Sequence, residues 1–157
     1  MGSEMCIRDS YLTEAKNDLQ ASGNMRMRFV GEKEGIDERL LQLMTDAEQE
    51  TAHRTGTVVN LAVNYGGRQE IVSAVNSLIA DGKTNITEAD ISSKMYTSPD
   101  CDLIIRPSGE ERLSNFLLWQ AAYSEFWYSD VLWPDFKNDD LYAALSEFEK
   151  RNRRFGG

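Results

Sequence analysis

Three short strand-like segments, each stopped by turn residues and followed by a segment of helical period, constrain this chain more than any other feature. Val58 to Val63 runs straight into Asn64-Tyr65-Gly66-Gly67-Arg68. It is followed by Gln69 to Ala80, where Ile71, Val72, Val75, Leu78 and Ile79 recur at helical spacing and Gly82 marks the stop. Met25 to Val30 precedes Ile36 to Thr55, whose Ile36, Leu40, Leu43, Met44 and Ala47 mark one apolar face, closed by Gly56. Leu103 to Ile105 precedes Asn115 to about Glu125, read as the next helix, and Asn138 to Arg153 is read as the last. Tyr11 to Ser22 lacks glycine and proline and reads as a helix stopped by Gly23, while Thr87 to Lys94 reads as a short helix. Alternation of this kind predicts an α/β fold, a parallel sheet with helices on both faces.

At 157 residues and 41% hydrophobic content, one such core buries roughly two thirds of the unfolded surface. No repeat or long linker divides it. A net charge of -9 argues against nucleic acid or an anionic membrane as general partner, since both reward excess Lys and Arg. Cys6 and Cys101 have no metal-ligand spacing and no framework of further cysteines, so a reduced compartment, the cytoplasm, is expected. No apolar stretch approaches the length that spans a bilayer, so membrane contact would be peripheral at most. His53, the only histidine, sits among Glu48, Glu50 and Arg54 and reads as a solvated residue, which leaves no histidine-based triad. No GxGxxG or Walker pattern supports nucleotide binding.

The chemistry concentrates between Asp102 and Phe136. Arg106 follows a buried strand and should sit at its carboxyl end, where open α/β sheets bind ligands. Arg112 and Ser114 follow on the turn that opens the next predicted helix. Guanidinium forks match phosphate oxygens, and a hydroxyl with free backbone N–H groups completes an anion cradle. The large apolar residues that follow suit a diphosphate with an apolar tail. Glu110 and Glu111 lie between the arginines, where they pair with them. Glu125, inside YSEFWY, is a carboxylate among aromatics that needs a partner, and a diphosphate site wants Mg2+, which takes carboxylate and phosphate oxygens together. Asn64, Gly66 and Gly67 open a helix after a strand, either to admit a ligand to the backbone or merely to turn the chain; Arg68 supports that wall or caps the sheet.

The same segment resembles the carboxyl-terminal signature of the cis-prenyltransferases, the family of undecaprenyl diphosphate synthase. Asn64-Tyr65-Gly66-Gly67-Arg68 is similar to that family's NYGGR turn, Met25 to Val30 to one of its strands, and Arg153 to Gly157 to its terminal RxG element. Residues 11–157 thus read as roughly the last three fifths of one such domain. The opening MGSEMCIRDS (residues 1–10) matches nothing in the family and reads as a scar, a mistaken start or an assembly artefact.

The resemblance implies elongation of an allylic diphosphate, such as farnesyl diphosphate, by isopentenyl diphosphate, each step making a Z double bond, with Mg2+ as cofactor and polyprenol biosynthesis as the setting. It implies that Arg106, Arg112 and Ser114 bind isopentenyl diphosphate, with Leu113 in the same turn. Glu125 would hold magnesium, and Glu110 would orient an arginine. The family's essential aspartate loop does not occur here, so no catalytic residue is assigned and the chain by itself is expected to be inactive. Pro107-Ser108 departs from the commoner Thr-Gly, which stiffens the loop and leaves the charged contacts standing. The family also contains noncatalytic partner subunits, a second reading that retention of both arginines, Ser114 and Glu125 speaks against.

Were Ser114 to Glu125 one helix, its ends would lie roughly 16 Å apart along the axis, too far for one diphosphate–magnesium cluster. Either the helix ends early and folds back, or Glu125 serves a cluster whose other ligands belong to another chain. Phe116, Trp119, Tyr123, Trp127 and Trp133 would then fill a dimer core, or else this chain's own interior. The resemblance favours a homodimer, with Arg154 and Gly156 of the tail reaching the neighbouring site.

Overall fold

The structure, a computed structural model, describes residues 23–97 and 100–151. The predicted helix Tyr11 to Ser22, Cys6, and the tail residues Arg154 and Gly156 lie outside them. Contacts divide the chain into two compact units, one up to Tyr65 and one from Gly66 onward.

In the first unit, β1 (Arg26–Val30) and β2 (Val58–Ala62) pair in parallel, from Arg26 opposite Val58 to Val30 opposite Ala62. Two parallel strands need a crossover, and α1 (Glu38–Thr51) supplies it. Asp37 starts α1 because its carboxylate accepts the Arg39 N–H at 3.0 Å, and the helix ends at Thr51, short of the predicted Thr55. Gly56 does a different job from the expected helix stop. Its N–H donates to the Asn24 carbonyl at 3.1 Å, and a Cβ there would lie 2.3 Å from that oxygen.

Side chains of α1 also take up β1 amides. Glu48 Oε1 accepts the Phe29 N–H at 2.7 Å. The buried Thr51 hydroxyl accepts the Met27 N–H at 3.0 Å and donates to the Ala47 carbonyl at 2.9 Å. Around these bonds pack Met27, Val30, Met44 and Ala47, the last two from the predicted apolar face.

The second unit contains α2 (Gly67–Ala80), α3 (Glu88–Lys94), β3 (Leu103–Arg106), β4 (Glu125–Tyr128), a 3-10 turn (Trp133–Asp135) and α4 (Asn138–Lys150). β3 and β4 pair in parallel, from Leu103 opposite Glu125 to Arg106 opposite Tyr128. The predicted helix from Asn115 to Glu125 is overturned. Ser114, Asn115 and Leu117 have φ of 48°, 66° and 47°, and left-handed residues break the right-handed ladder. The chain passes through turns instead and re-enters as β4. On α2 the buried stripe is Gly67, Glu70, Ala74 and Leu78, so Val72 and Ile79, expected on the apolar face, stand exposed.

α3 begins with a capping box, in which Thr87 accepts from Asp90 N and Asp90 accepts from Thr87 N. Hydrogen bonding from Lys83, with help from Thr87, lowers the Asp90 carboxyl from its usual 3.8 to about 2. A carboxyl depressed on folding stabilises above its unfolded value and loses that contribution as pH falls toward the folded one. Between pH 4 and pH 2, as given by those two values, wild-type chain should lose stability that D90N lacks at every pH; acid unfolding midpoints followed by circular dichroism check this. In the other unit, T51V leaves the Met27 N–H without its acceptor and should lower the unfolding free energy by about 1–3 kcal/mol, read from urea denaturation.

Candidate diphosphate site

Arg106 sits at the carboxyl end of β3, as its place after the apolar run required. Its guanidinium reaches forward over the following loop. Nη1 donates to the Arg112 carbonyl and Nη2 to the Ser114 hydroxyl at 3.3 Å. Arg106, Arg112 and Ser114 are therefore gathered on one strand end, with Leu113 between the last two. Glu110 forms an ion pair with Arg112, whose side chain is exposed.

The loop is anchored by the segment that follows β4. Ser108 N donates to Val131 O at 2.8 Å, and Gly109 N to Ser129 O at 2.9 Å. Ser108 adopts φ 75°, a left-handed conformation, so the departure from glycine places a side chain where glycine would sit without strain.

Glu125 lies at the other end of the pair. It stands opposite Leu103, three register steps from Arg106, or about 10 Å along the strand at about 3.3 Å per residue. Its carboxylate accepts from Arg151 Nη1 at 2.9 Å, and the same nitrogen reaches the Phe126 carbonyl at 2.8 Å. Arg151 Nη2 donates to Glu147 Oε1 at 2.6 Å, and Glu147 Oε2 accepts from Trp127 Nε1 at 3.1 Å. Arg151 holds the Glu147 carboxyl below the usual carboxylate range, and Glu147 and Glu125 in turn raise the guanidinium. The turns after Ser114 thus fold the chain back, yet they leave Glu125 three register steps from Arg106. Among the described residues no three His, Cys, Asp or Glu side chains converge on a metal position. Glu125 offers one carboxylate, with Oε2 paired to Arg151, and such a hard donor suits Mg2+ where phosphate and water oxygens complete the shell.

The glycine turn is packed by protein. Gly66 heads α2 without a side-chain cap. The Asn115 backbone carbonyl accepts the Gly67 N–H at 2.7 Å, and Asn115 Oδ1 accepts the Arg68 N–H at 2.9 Å. A Cβ on Gly66 would lie 2.8 Å from Asn115 Nδ2, and one on Gly67 3.0 Å from Leu118 N. These glycines make room for the 115–118 turn. Asn64, at φ 50°, serves the other unit, donating from Nδ2 to Glu32 O at 3.0 Å and Glu34 O at 3.1 Å.

Sequence reasoning missed Asn115, Glu70 and Gln120. Glu70 is 1% exposed, and its Oε1 accepts Tyr96 N at 2.7 Å and Gln120 Nε2 at 3.0 Å. The available signal was a double glycine opening a helix with no Ser, Thr or Asp to cap it. Of the five aromatics weighed for an interface, Phe116, Tyr123 and Trp133 are exposed, Trp133 by 70%.

Parallel strands joined through helices, with Arg106 and the turn that carries Arg112 at one strand tip, define an α/β protein. The family profile described as "Putative undecaprenyl diphosphate synthase" matches residues 4–156, reaching into the opening ten residues, and the chain belongs to that prenyltransferase family. An isoprenyl transferase of Clostridium acetobutylicum is 45% identical over 158 aligned positions, covering 94% of this chain and 61% of the relative. The crystal structure of a probable undecaprenyl diphosphate synthase from Campylobacter jejuni superposes with a TM-score of 0.90 at 30% identity, covering 100% of this chain and 76% of that one. Lavandulyl diphosphate synthase from Lavandula x intermedia, solved with dimethylallyl diphosphate, gives 0.88 at 34% identity, covering 98% and 70%. The chain spans about three fifths of the length of the curated relatives it matches (61%, 65% and 61%).

G67A tests the packed turn. Helix propensity favours alanine by about 1 kcal/mol, but the added methyl meets Leu118 and Asn115. The variant should unfold about 1–3 kcal/mol more easily, as overpacking does; a stabilised variant in urea titration would mean that this turn stands away from α2.

Proposed function

We propose that the gene product elongates an allylic diphosphate with isopentenyl diphosphate in the Z configuration, and that this chain carries the isopentenyl diphosphate cradle. One observation carries the reading: Arg106 at a parallel strand's carboxyl end bonds both Arg112 O and Ser114 Oγ, which ties its guanidinium to the turn that carries Arg112 and the Ser114 hydroxyl. Family membership supports the same reaction class.

In that reaction the double bond of isopentenyl diphosphate forms the new carbon–carbon bond, diphosphate leaves the allylic carbon with its bonding electrons, and a proton departs. Arg106 and Arg112 hold the non-leaving diphosphate by fixed donor forks, and Glu110 keeps Arg112 oriented. Magnesium, held by Glu125 together with phosphate oxygens, supplies charge neutralisation. Because Glu125 stands away from its own chain's arginines, it serves a second chain's site in a homodimer, with Arg154 and Gly156 as further residues of that site. Farnesyl diphosphate is a suitable allylic starter, and among the described residues no helix is long and apolar enough to cross a membrane. A cytoplasmic enzyme with peripheral membrane contact at most suits such substrates.

Titration calorimetry with isopentenyl diphosphate tests the cradle directly. R112A should weaken binding by at least about tenfold, the lower range for a charged hydrogen bond. Equal affinity in wild type and variant would make Arg112 a structural partner of Glu110 alone.

A further inference from the structure

Asn115 stands next to the proposed cradle but bonds away from it, toward α2. Both of its oxygens are committed there: the carbonyl accepts from Gly67 N and Oδ1 from Arg68 N. These are the first two amides of α2, a helix whose own leading residue, Gly66, has no side chain with which to cap them. Asparagine thus acts as an N-cap supplied from 47 residues further along the chain. The fit is two-sided, since the absent side chains of Gly66 and Gly67 leave the space that Asn115 and Leu118 fill.

The cap has a consequence one residue earlier. Ser114 has φ 48° and Asn115 φ 66°, a left-handed pair. Asparagine tolerates that region well and serine less so, so Ser114 stays there only while its neighbours hold it. In this conformation the Ser114 hydroxyl meets Arg106 Nη2, and the Arg112 carbonyl meets Nη1. Phe116 N closes the turn on Leu113 O at 3.0 Å.

We propose that Asn115 is a positioning residue for diphosphate binding, which by capping α2 from outside locks the left-handed turn that aims Ser114 and the Arg112 backbone at Arg106. The proposal rests on reading Arg106, Arg112 and Ser114 as the cradle. The remaining polar group of Asn115, the Nδ2 donor, lies against Gly66, where a Cβ would come within 2.8 Å of it, so the side chain as a whole is turned toward the start of α2.

The test compares N115D, N115A and N115G in the whole chain, by hydrogen exchange at the Gly67 and Arg68 amides and by calorimetric titration with isopentenyl diphosphate. Aspartate keeps both acceptors, and its charge suits a helix N-terminus. N115D should therefore retain protection at both amides and bind more tightly than N115A. N115A should lose protection at Arg68 and bind about tenfold more weakly than wild type, as a lost positioning bond does. N115G keeps the left-handed backbone and the carbonyl acceptor, so it should expose Arg68 alone and bind with intermediate affinity, which serves if N115A does not fold. An N115D that keeps its protection yet binds no better than N115A, or N115G, would show direct contact with phosphate and overturn the proposal. So would undiminished Arg68 protection in both N115A and N115G. If wild type and R112A both fail to bind while the amide pattern follows the cap, the cradle reading falls and the cap stands.

Discussion

The second unit is organised around a polar side chain that has no route to water. Glu70 is buried on α2, and its cost of burial is met by Tyr96 N and by Gln120 Nε2. Gln120 in turn reaches Thr97 Oγ1 at 3.3 Å and accepts the Cys101 N–H on its backbone carbonyl at 2.9 Å. A helix, the segment entering β3 and the turns after Ser114 are thereby joined through one buried carboxylate, and none of them can shift without breaking one of its bonds. Asn115 adds a second fastening a turn away, at the start of the same helix.

From these fastenings follows the separation of charges along the strand pair. Because residues 114–124 are taken up in turns rather than in a helix, β4 begins at Glu125 and pairs in parallel with β3 from its first residue. Arg106 and the turn that carries Arg112 and Ser114 gather at one end and Glu125 stands at the other. Arg151, at the end of α4, closes the far end by joining Glu125, the Phe126 carbonyl and Glu147. These pairs are partly exposed, so their value lies in fixing where the α4 terminus sits against β4 more than in raw stability.

The elements that sequence located well are those in which one local signal dominates. Leu103 to Ile105 followed by Arg106 is an apolar run with a charged stop, and the structure has β3 there. Helices at Glu38–Thr51, Gly67–Ala80, Glu88–Lys94 and Asn138–Lys150 follow period and punctuation. The segment Asn115 to Glu125 failed because nothing local forbids a helix there: its residues are ordinary helix formers, and only the distant α2 terminus makes left-handed turns at Ser114 and Asn115 worthwhile. The aromatic run EFWY, with high strand propensity, was the overlooked local hint of β4.

Val72 and Ile79 show the same limit from another side, since period alone put them on the apolar face while the buried bonds of Glu70 turned that face away. The sequence by itself determined the α/β alternation, the strand-end place of Arg106 and the membership of Arg112 and Ser114 in one turn, because these depend on neighbours a few residues apart. Tertiary structure alone decided that Asn115 caps α2, that the double glycine receives protein, and that Glu125 stands about 10 Å from Arg106. Each of those outcomes depends on hydrogen bonds or strand register between residues tens of positions apart, which no local pattern encodes.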